Sequence, residues 1–174
     1  MITFVLGGSG SGKSEFIEGL TMRIKSDKKF YIATMQPFDE EAYAKIARHR
    51  EMRATKGFDT IECQTNVSKV RVPEGSTVLL ECISNLVANE MYSDEGAHER
   101  SYEAIVEGLS KLIPQCQHLF IVSNNVFTDG DDYSDSVITY IETIAKVNNW
   151  IAQRADSVVE VVHGIPIYQK GEAE

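Results

Sequence analysis

The chain has 174 residues, 43% of them hydrophobic and 25% charged, which is the size and composition of one compact domain over residues 1–174. Its 26 acidic residues outnumber the 17 basic ones and give a formal charge of -9 at pH 7, which argues against nucleic acid as a partner. The sequence shows no apolar run of transmembrane length, no signal-peptide pattern and no disulfide or metal spacing of its cysteines. We therefore expect a cytoplasmic protein without membrane insertion.

Apolar runs and amphipathic segments alternate along the chain. The expected elements in chain order are strand 2–6, helix 16–24, strand 30–34, a helix after Asp39, strand 77–80, helix 84–91, helix 102–113, strand 119–123, helix 137–151, strand 158–162 and an edge strand 165–169. Most strands are apolar throughout, as strands covered on both faces are. The alternation predicts an α/β fold, with a mainly parallel sheet and helices on both faces.

A glycine-rich loop lies between the first expected strand and the first expected helix. It satisfies the pattern G-x-x-x-x-G-K-[ST] with Gly7, Gly8, Ser9, Gly10, Ser11, Gly12, Lys13 and Ser14. The glycines let successive backbone N–H groups and the helix N-terminus point at phosphate oxygens. Lys13 would neutralise the outer phosphates, and the Ser14 hydroxyl would ligate Mg²⁺. The motif predicts a P-loop NTPase fold that binds a nucleoside triphosphate; a plain flexible turn is the alternative.

An acidic residue follows the third expected strand, 77–80. Glu81 directly follows that strand, and the carboxyl ends of parallel strands converge on the ligand in such folds. We expect Glu81 to help Ser14 hold the metal. The alternative is a strand-end carboxylate that faces water. Cys63 and Cys82, close to Glu62 and Glu81, have the character of small core residues and not of catalytic thiols.

His49 lies in the helix expected after Asp39, among the basic residues Arg48, Arg50 and Arg53. A histidine in such a place is ordinarily a partly buried side chain on a charged helix face. A neutral imidazole is also a nucleophile toward phosphorus, and nearby guanidinium groups could bind phosphates and favour the unprotonated ring. A covalent phosphoramidate intermediate on His49 is the functional interpretation.

Several motifs in a fixed order resemble one family of bifunctional enzymes. They are GGSGSGKS from Gly7, YIATMQ from Tyr31, KIARHREMR around His49, IEC with Glu62, LLECI with Glu81, and VNNWIAQRADSVVEVVHGIPI near the end. Together they resemble the adenosylcobinamide kinases / adenosylcobinamide-phosphate guanylyltransferases of cobalamin assembly. The resemblance extends along nearly the whole chain.

The resemblance implies two reactions. ATP or GTP would phosphorylate the aminopropanol hydroxyl of adenosylcobinamide, and GMP would then pass from GTP to that phosphate with release of pyrophosphate, carried by His49. It also implies Mg²⁺, a corrinoid substrate and a homotrimer. Besides the loop, the nucleotide site would include Thr34, Met35, Gln36, Arg50, Glu51, Met52, Arg53, Glu62 and Glu81.

The chain departs from the family pattern after the fourth strand. Where the family tends to have Asn-Glu-Val-Gly, this chain has Asn124, Asn125, Val126 and Phe127, so an amide replaces a carboxylate. This loop would face the substrate that accepts the phosphoryl group. Two other functions remain open on sequence alone: a P-loop kinase of another small alcohol without a covalent intermediate, and a nucleotide-dependent switch module.

Overall fold

A seven-stranded sheet forms the centre of the computed structural model, which describes residues 1–36, 47, 56–126 and 133–172. The strands are β1 (Ile2–Gly7), β2 (Lys29–Ala33), β3 (Asp59–Glu62), β4 (Ser76–Glu81), β5 (Cys116–Asn124), β6 (Ser157–Val162) and β7 (Ile165–Lys170). Their spatial order is β3-β2-β4-β5-β1-β6-β7. Neighbouring strands run parallel except β6 and β7, which confirms the expected mainly parallel sheet.

Helices cover both faces of this sheet. The described helices are α1 (Lys13–Arg23), α2 (Ile83–Tyr92), α3 (Ser101–Leu112) and α4 (Asp135–Arg154), with 3-10 turns at Val67–Lys69, His98–Arg100 and Ile113–Gln115. Of the helix expected after Asp39, only Ala47 is among the described residues, and it is helical. Within the part of the chain that is described, no helix has both the length and the apolar character needed to cross a membrane.

Successive residues of the central strands bury their side chains in two different cores, because side chains alternate between the faces of a strand. On β1, Phe4 packs in the core beneath α2, α3 and α4, whereas Val5 packs in the core beneath α1. This double burial explains why the central strands are apolar at nearly every position.

The strand β3 was not expected from the sequence. It pairs with β2 in parallel, from Phe30 opposite Asp59 to Ala33 opposite Glu62. Its sequence, D-T-I-E, has no apolar run because an edge strand is half-exposed, and the exposure pattern of β3 agrees with this. The edge strand expected at 165–169 is present as β7.

The surroundings of two helical glycines predict that changing each to alanine has opposite effects on the free energy of unfolding. A Cβ on Gly108 of α3 would strike the Val67 side chain and come within 2.8 Å of the Ser68 nitrogen, whereas Gly19 of α1 has no such atom within 4 Å. We expect Gly108→Ala to lower the free energy of unfolding by about 1–3 kcal/mol. Gly19→Ala should raise it by about 0.5–1 kcal/mol, because alanine favours the helix. Urea denaturation followed by circular dichroism tests the pair, and similar changes in both variants would contradict the packing of α3 on the Val67–Lys69 turn.

Candidate active site

The glycine-rich loop joins β1 to α1 in a conformation that alanine would strain. Gly10 and Gly12 have φ of 70° and 90°, and a Cβ on Gly12 would lie 3.1 Å from the Cα of Gly164. The N–H of Gly164, in the turn between β6 and β7, donates to the carbonyl of Ser11 at 2.8 Å. The last hairpin of the chain therefore supports the loop from the side.

Lys13 is buried where the loop becomes a helix. Its side chain is 8% exposed, and its Nζ donates to the carbonyl of Gly8 at 2.8 Å. Burial lowers the pKa of the Lys13 ammonium below its ordinary value of 10.5, while charge interactions with Cys82 and Glu81 oppose the shift. A phosphate group on the loop would be a strong negative partner for this buried cation.

Glu81 is the last residue of β4, and Tyr31 fixes its carboxylate. The Tyr31 hydroxyl donates to Oε2 of Glu81, and the Tyr31 ring is 3% exposed and packs edge-on against Phe58 at 6.1 Å. Ser14 and Glu81 line one small cleft, together with Tyr31 and Glu18. Sequence reasoning missed Tyr31, and the only signal was a hydroxyl-bearing ring in an otherwise apolar strand.

The Ser14 hydroxyl and the Glu81 carboxylate are oxygen ligands of the kind that Mg²⁺ takes. Such an ion usually keeps one or two protein ligands and completes its shell with phosphate oxygens and water. The described residues contain no group of three or more His, Cys, Asp or Glu side chains that could hold a metal by themselves. Two oxygen ligands at one cleft are what an ion that also binds phosphate oxygens would need.

Thr34 lies immediately after β2 and joins that strand to β4. Its hydroxyl donates to the carbonyl of Glu81 at 2.6 Å and accepts the N–H of Cys82 at 2.8 Å, and its side chain is 1% exposed. The buried amide of Asn89 on α2 donates to the carbonyls of Thr34 at 2.7 Å and Gln64 at 2.9 Å. Thr34 thus holds the strand ends together, while Met35 and Gln36 beyond it are half-buried.

A pocket of about 540 Å³ opens at the carboxyl end of β3. Polar side chains around it include Gln36, Glu62, Gln64, Asn66, Lys69 and Glu95. Because β3 lies four strand positions from β1, Glu62 is roughly 19 Å from the loop at the usual strand spacing. A residue there can contact only the end of a nucleotide that is far from the phosphates.

The wall of this pocket is held by a buried carboxylate. Glu90 on α2 is 2% exposed and accepts the N–H groups of Asn66 at 2.6 Å and Ala97 at 3.0 Å. Burial, and then the charge of Glu90, raise the pKa of Cys63 to about 11. Sequence reasoning missed Asn89 and Glu90, because polar residues on an amphipathic helix give no signal that they face inward.

His49 and the stretch from Arg50 to Arg53, with Glu51 and Met52 between, fall outside the described residues. Residues on both sides of that gap do contact the candidate site. Gln36 donates to Ser93 at 2.9 Å, and Lys56 forms an ion pair with Glu18, which lines the cleft of Ser14 and Glu81. Gln36 and Lys56, which lie before and after this part of the chain, are therefore both close to the candidate site.

Comparison with known proteins gives the family. Residues 3–168 match the family described as cobinamide kinase / cobinamide phosphate guanyltransferase. The chain belongs to this family. It is 29% identical over 181 residues to the bifunctional adenosylcobalamin biosynthesis protein CobU of Escherichia coli K12, covering 96% of this chain and 98% of the relative. It is 27% identical over 175 residues to CobP of Pseudomonas aeruginosa PAO1, covering 99% of each. The family is thus one of cobalamin biosynthesis enzymes.

Solved structures agree with the fold class. The chain is similar to the solved structure of PH0250 from Pyrococcus horikoshii OT3, with a TM-score of 0.51 and 10% sequence identity, over 99% of this chain and 87% of that one. A DnaB-like replicative helicase has a TM-score of 0.50 and 7% identity, over 96% of this chain and 53% of that one. At such identities the likeness concerns the fold alone, and it agrees with the expected α/β fold.

Removal of the Tyr31 hydroxyl tests the geometry of Glu81. Tyr31→Phe keeps the buried ring and removes only the hydrogen bond to the carboxylate. We expect ATP binding with magnesium to weaken roughly tenfold, because a hydrogen bond to a charged group contributes about 1.5 kcal/mol or more. Titration calorimetry with magnesium and with EDTA measures the effect, which should be small in EDTA. Tyr168→Phe on β7 is the matched control, and equal affinities in both variants would contradict a role for Tyr31.

Alkylation tests how far burial protects the thiol of Cys63, with the half-buried Cys116 as a second site. Burial raises the pKa of Cys63 to about 11 and that of Cys116 to about 12. At pH 8 only about one Cys63 in a thousand would be a thiolate, so we expect iodoacetamide to react roughly a hundredfold slower than with an ordinary thiol. Peptide mass spectrometry of native and urea-unfolded protein measures this. Rapid labelling of native Cys63 would show that the pocket wall opens in solution.

Proposed function

We propose that this protein phosphorylates adenosylcobinamide with ATP or GTP and then transfers GMP from GTP to adenosylcobinamide phosphate through a guanylyl-histidine at His49. The family match over residues 3–168 carries the proposal. We propose further that residues 1–174 form one catalytic domain in the cytoplasm. Assembly as a homotrimer is proposed from the family resemblance and can be tested by light scattering.

The loop from Gly7 to Ser14 would bind the phosphates of the nucleotide. Its N–H groups and the N-terminus of α1 favour anions, and the buried Lys13 would exchange its contact with Gly8 for phosphate oxygens. Mg²⁺ bound with the nucleotide at Ser14 and Glu81 would neutralise phosphate charge. Tyr31 and Thr34 would act through Glu81, by holding its side chain and its backbone.

The rest of the nucleotide would lie along the edge of the sheet toward β3. Met35 and Gln36 follow β2, and Glu62 ends β3, so these positions fit the nucleoside end. The further proposed nucleotide contacts are Arg50, Glu51, Met52 and Arg53. The proposal is supported by Gln36 and Lys56, which lie before and after that segment in the chain and both contact residues near the candidate site.

In the guanylyl transfer, an imidazole nitrogen of His49 would attack the α-phosphorus of GTP. The bond from that phosphorus to the bridging oxygen breaks, and pyrophosphate leaves while Lys13 and the loop N–H groups hold its charge. A phosphate oxygen of adenosylcobinamide phosphate would next attack the same phosphorus. The phosphorus–nitrogen bond breaks, which gives adenosyl-GDP-cobinamide and restores His49.

In the kinase step, the hydroxyl oxygen of adenosylcobinamide would attack the γ-phosphorus, and the bond to the nucleoside diphosphate breaks. Such a transfer depends on alignment and charge neutralisation more than on a covalent residue. Because Asn125 replaces the family's usual carboxylate after β5, the two activities need separate assays.

The proposed intermediate has a direct chemical test. GTP labelled at the α-phosphorus should leave label on the denatured protein that is stable in alkali and lost in acid. His49→Ala should abolish the label, whereas His163→Ala, at an exposed histidine in the turn beside the loop, should keep it. Wild-type protein that binds GTP but takes up no label would overturn the guanylyl-histidine and favour a P-loop kinase without a covalent intermediate.

A further inference from the structure

Asn124, the last residue of β5, occupies a central position in the site. In the sheet, β5 lies between β4, which ends in Glu81, and β1, which leads into the phosphate loop. Asn124 is paired in register with Gly7, the first residue of that loop, and the next N–H, of Asn125, donates to the carbonyl of Gly7 at 3.0 Å. A polar side chain at this position is therefore adjacent to the phosphate loop and to the strand that ends in Glu81.

The amide nitrogen of Asn124 contacts the first turn of α2. Its Nδ2 donates to the hydroxyl of Ser84 at 2.9 Å and approaches the sulfur of Cys82 at 3.4 Å. Ser84 is 3% exposed, and its carbonyl accepts the hydroxyl of Tyr140 at 3.1 Å. Burial raises the pKa of Tyr140 to about 12, so this donor stays protonated at neutral pH. The first turn of α2 thus contacts the nitrogen of Asn124, and the amide oxygen lies on the other side of the side chain from these contacts.

Lys13, at the end of the phosphate loop, lies close enough to Glu81 to affect the pKa of its ammonium. The oxygen of Asn124 has no hydrogen bond within residues 1–36, 47, 56–126 and 133–172, and Asn124 is half-buried. An amide oxygen in such a place can accept one hydrogen bond from a hydroxyl group.

We infer that Asn124 is a catalytic residue of the kinase step, in which its Oδ1 accepts the hydrogen bond of the substrate hydroxyl and aligns the hydroxyl oxygen with the γ-phosphorus. This inference rests on the proposed function and adds the group that contacts the acceptor. An amide cannot take up the proton. The hydroxyl proton therefore passes to an oxygen of the transferred phosphoryl group as the new oxygen–phosphorus bond forms and the bond to the nucleoside diphosphate breaks.

The inference separates the two activities. Formation of guanylyl-histidine from GTP involves the α-phosphorus and no substrate hydroxyl, so Asn124 has no part in it. Only phosphorylation of the alcohol needs the contact. Ser84 is a positioning residue in this arrangement, because it acts through the amide of Asn124.

The test compares both half-reactions in the full-length protein. Asn124→Ala should lower kcat/KM for ATP-dependent phosphorylation of cobinamide roughly a hundredfold, the usual effect of losing one aligning group at a reaction centre. Protein labelling by GTP and the affinity for ATP should stay within about threefold of wild type. Ser84→Ala should cause a smaller loss, roughly fivefold. Asn149→Ala, at an exposed asparagine of α4, is the matched control and should change neither reaction.

Asn124→Asp keeps the size of the side chain and is therefore a control for a folding defect in Asn124→Ala. Circular dichroism of both variants would also detect such a defect. A carboxylate here should restore part of the kinase rate and add a rise of that rate with pH as the carboxyl group ionises. Equal loss of both half-reactions in Asn124→Ala would overturn the inference and assign Asn124 to support of the loop. An unchanged kinase rate would overturn it as well. If wild type gives no guanylyl-protein, the proposed mechanism fails, and the kinase comparison still tests Asn124.

Discussion

The hydrogen bonds of Thr34 connect β2 to β4 at the carboxyl ends of the strands, where the candidate site lies. Backbone groups beyond the last ladder pair need other partners when they are buried. The hydroxyl of Thr34 bonds the carbonyl of Glu81 at the end of β4 and the N–H of Cys82 just after it, and the amide of Asn89 bonds the carbonyls of Thr34 and Gln64. The orientation of the Glu81 backbone and the start of the chain segment after β3 both follow from this junction.

The order of the strands arranges the site along a line. The phosphate loop follows β1, Asn124 ends the next strand, Glu81 ends the one after it, and Glu62 lies four strands away. At the usual spacing, these positions extend over roughly 19 Å. In the proposed function, phosphoryl transfer takes place at the γ-phosphorus on the loop, and nucleotidyl transfer takes place at the α-phosphorus further along the carboxyl ends of the strands. One phosphate loop would thus bind the nucleotide for both reactions.

Two buried ionisable groups illustrate different uses of burial. Glu90 accepts hydrogen bonds from the backbone N–H groups of Asn66 and Ala97, and it therefore stabilises the pocket wall. Lys13 donates to the carbonyl of Gly8, and burial lowers the pKa of its ammonium. A bound phosphate would stabilise Lys13 much more than the carbonyl does. Burial thus makes Lys13 a strong site for an anion, whereas Glu90 is already satisfied.

The amino-acid sequence by itself determined the phosphate loop, the buried strands, the α/β class and the family. Each of these depends on short local patterns: consecutive residues from Gly7 to Ser14, apolar runs, and motifs in a fixed order. The described central strands and helices confirm those predictions within a few residues, and the phosphate loop lies where the motif requires. The exposed edge strand β3 has no such pattern and could not be found this way.

Only the tertiary structure decided which side chains meet. The spatial order of the strands differs from their order in the chain, so β5 enters between β4 and β1 and brings Asn124 beside Gly7. Packing of α2 across the strand ends turns Asn89 and Glu90 inward, and the pairing of β2 with β4 brings Tyr31 to Glu81. These contacts join residues 24 to 117 positions apart in the chain, from Asn66 with Glu90 to Gly7 with Asn124. Local propensity carries no information at such separations, because the contacts form only when the elements pack together.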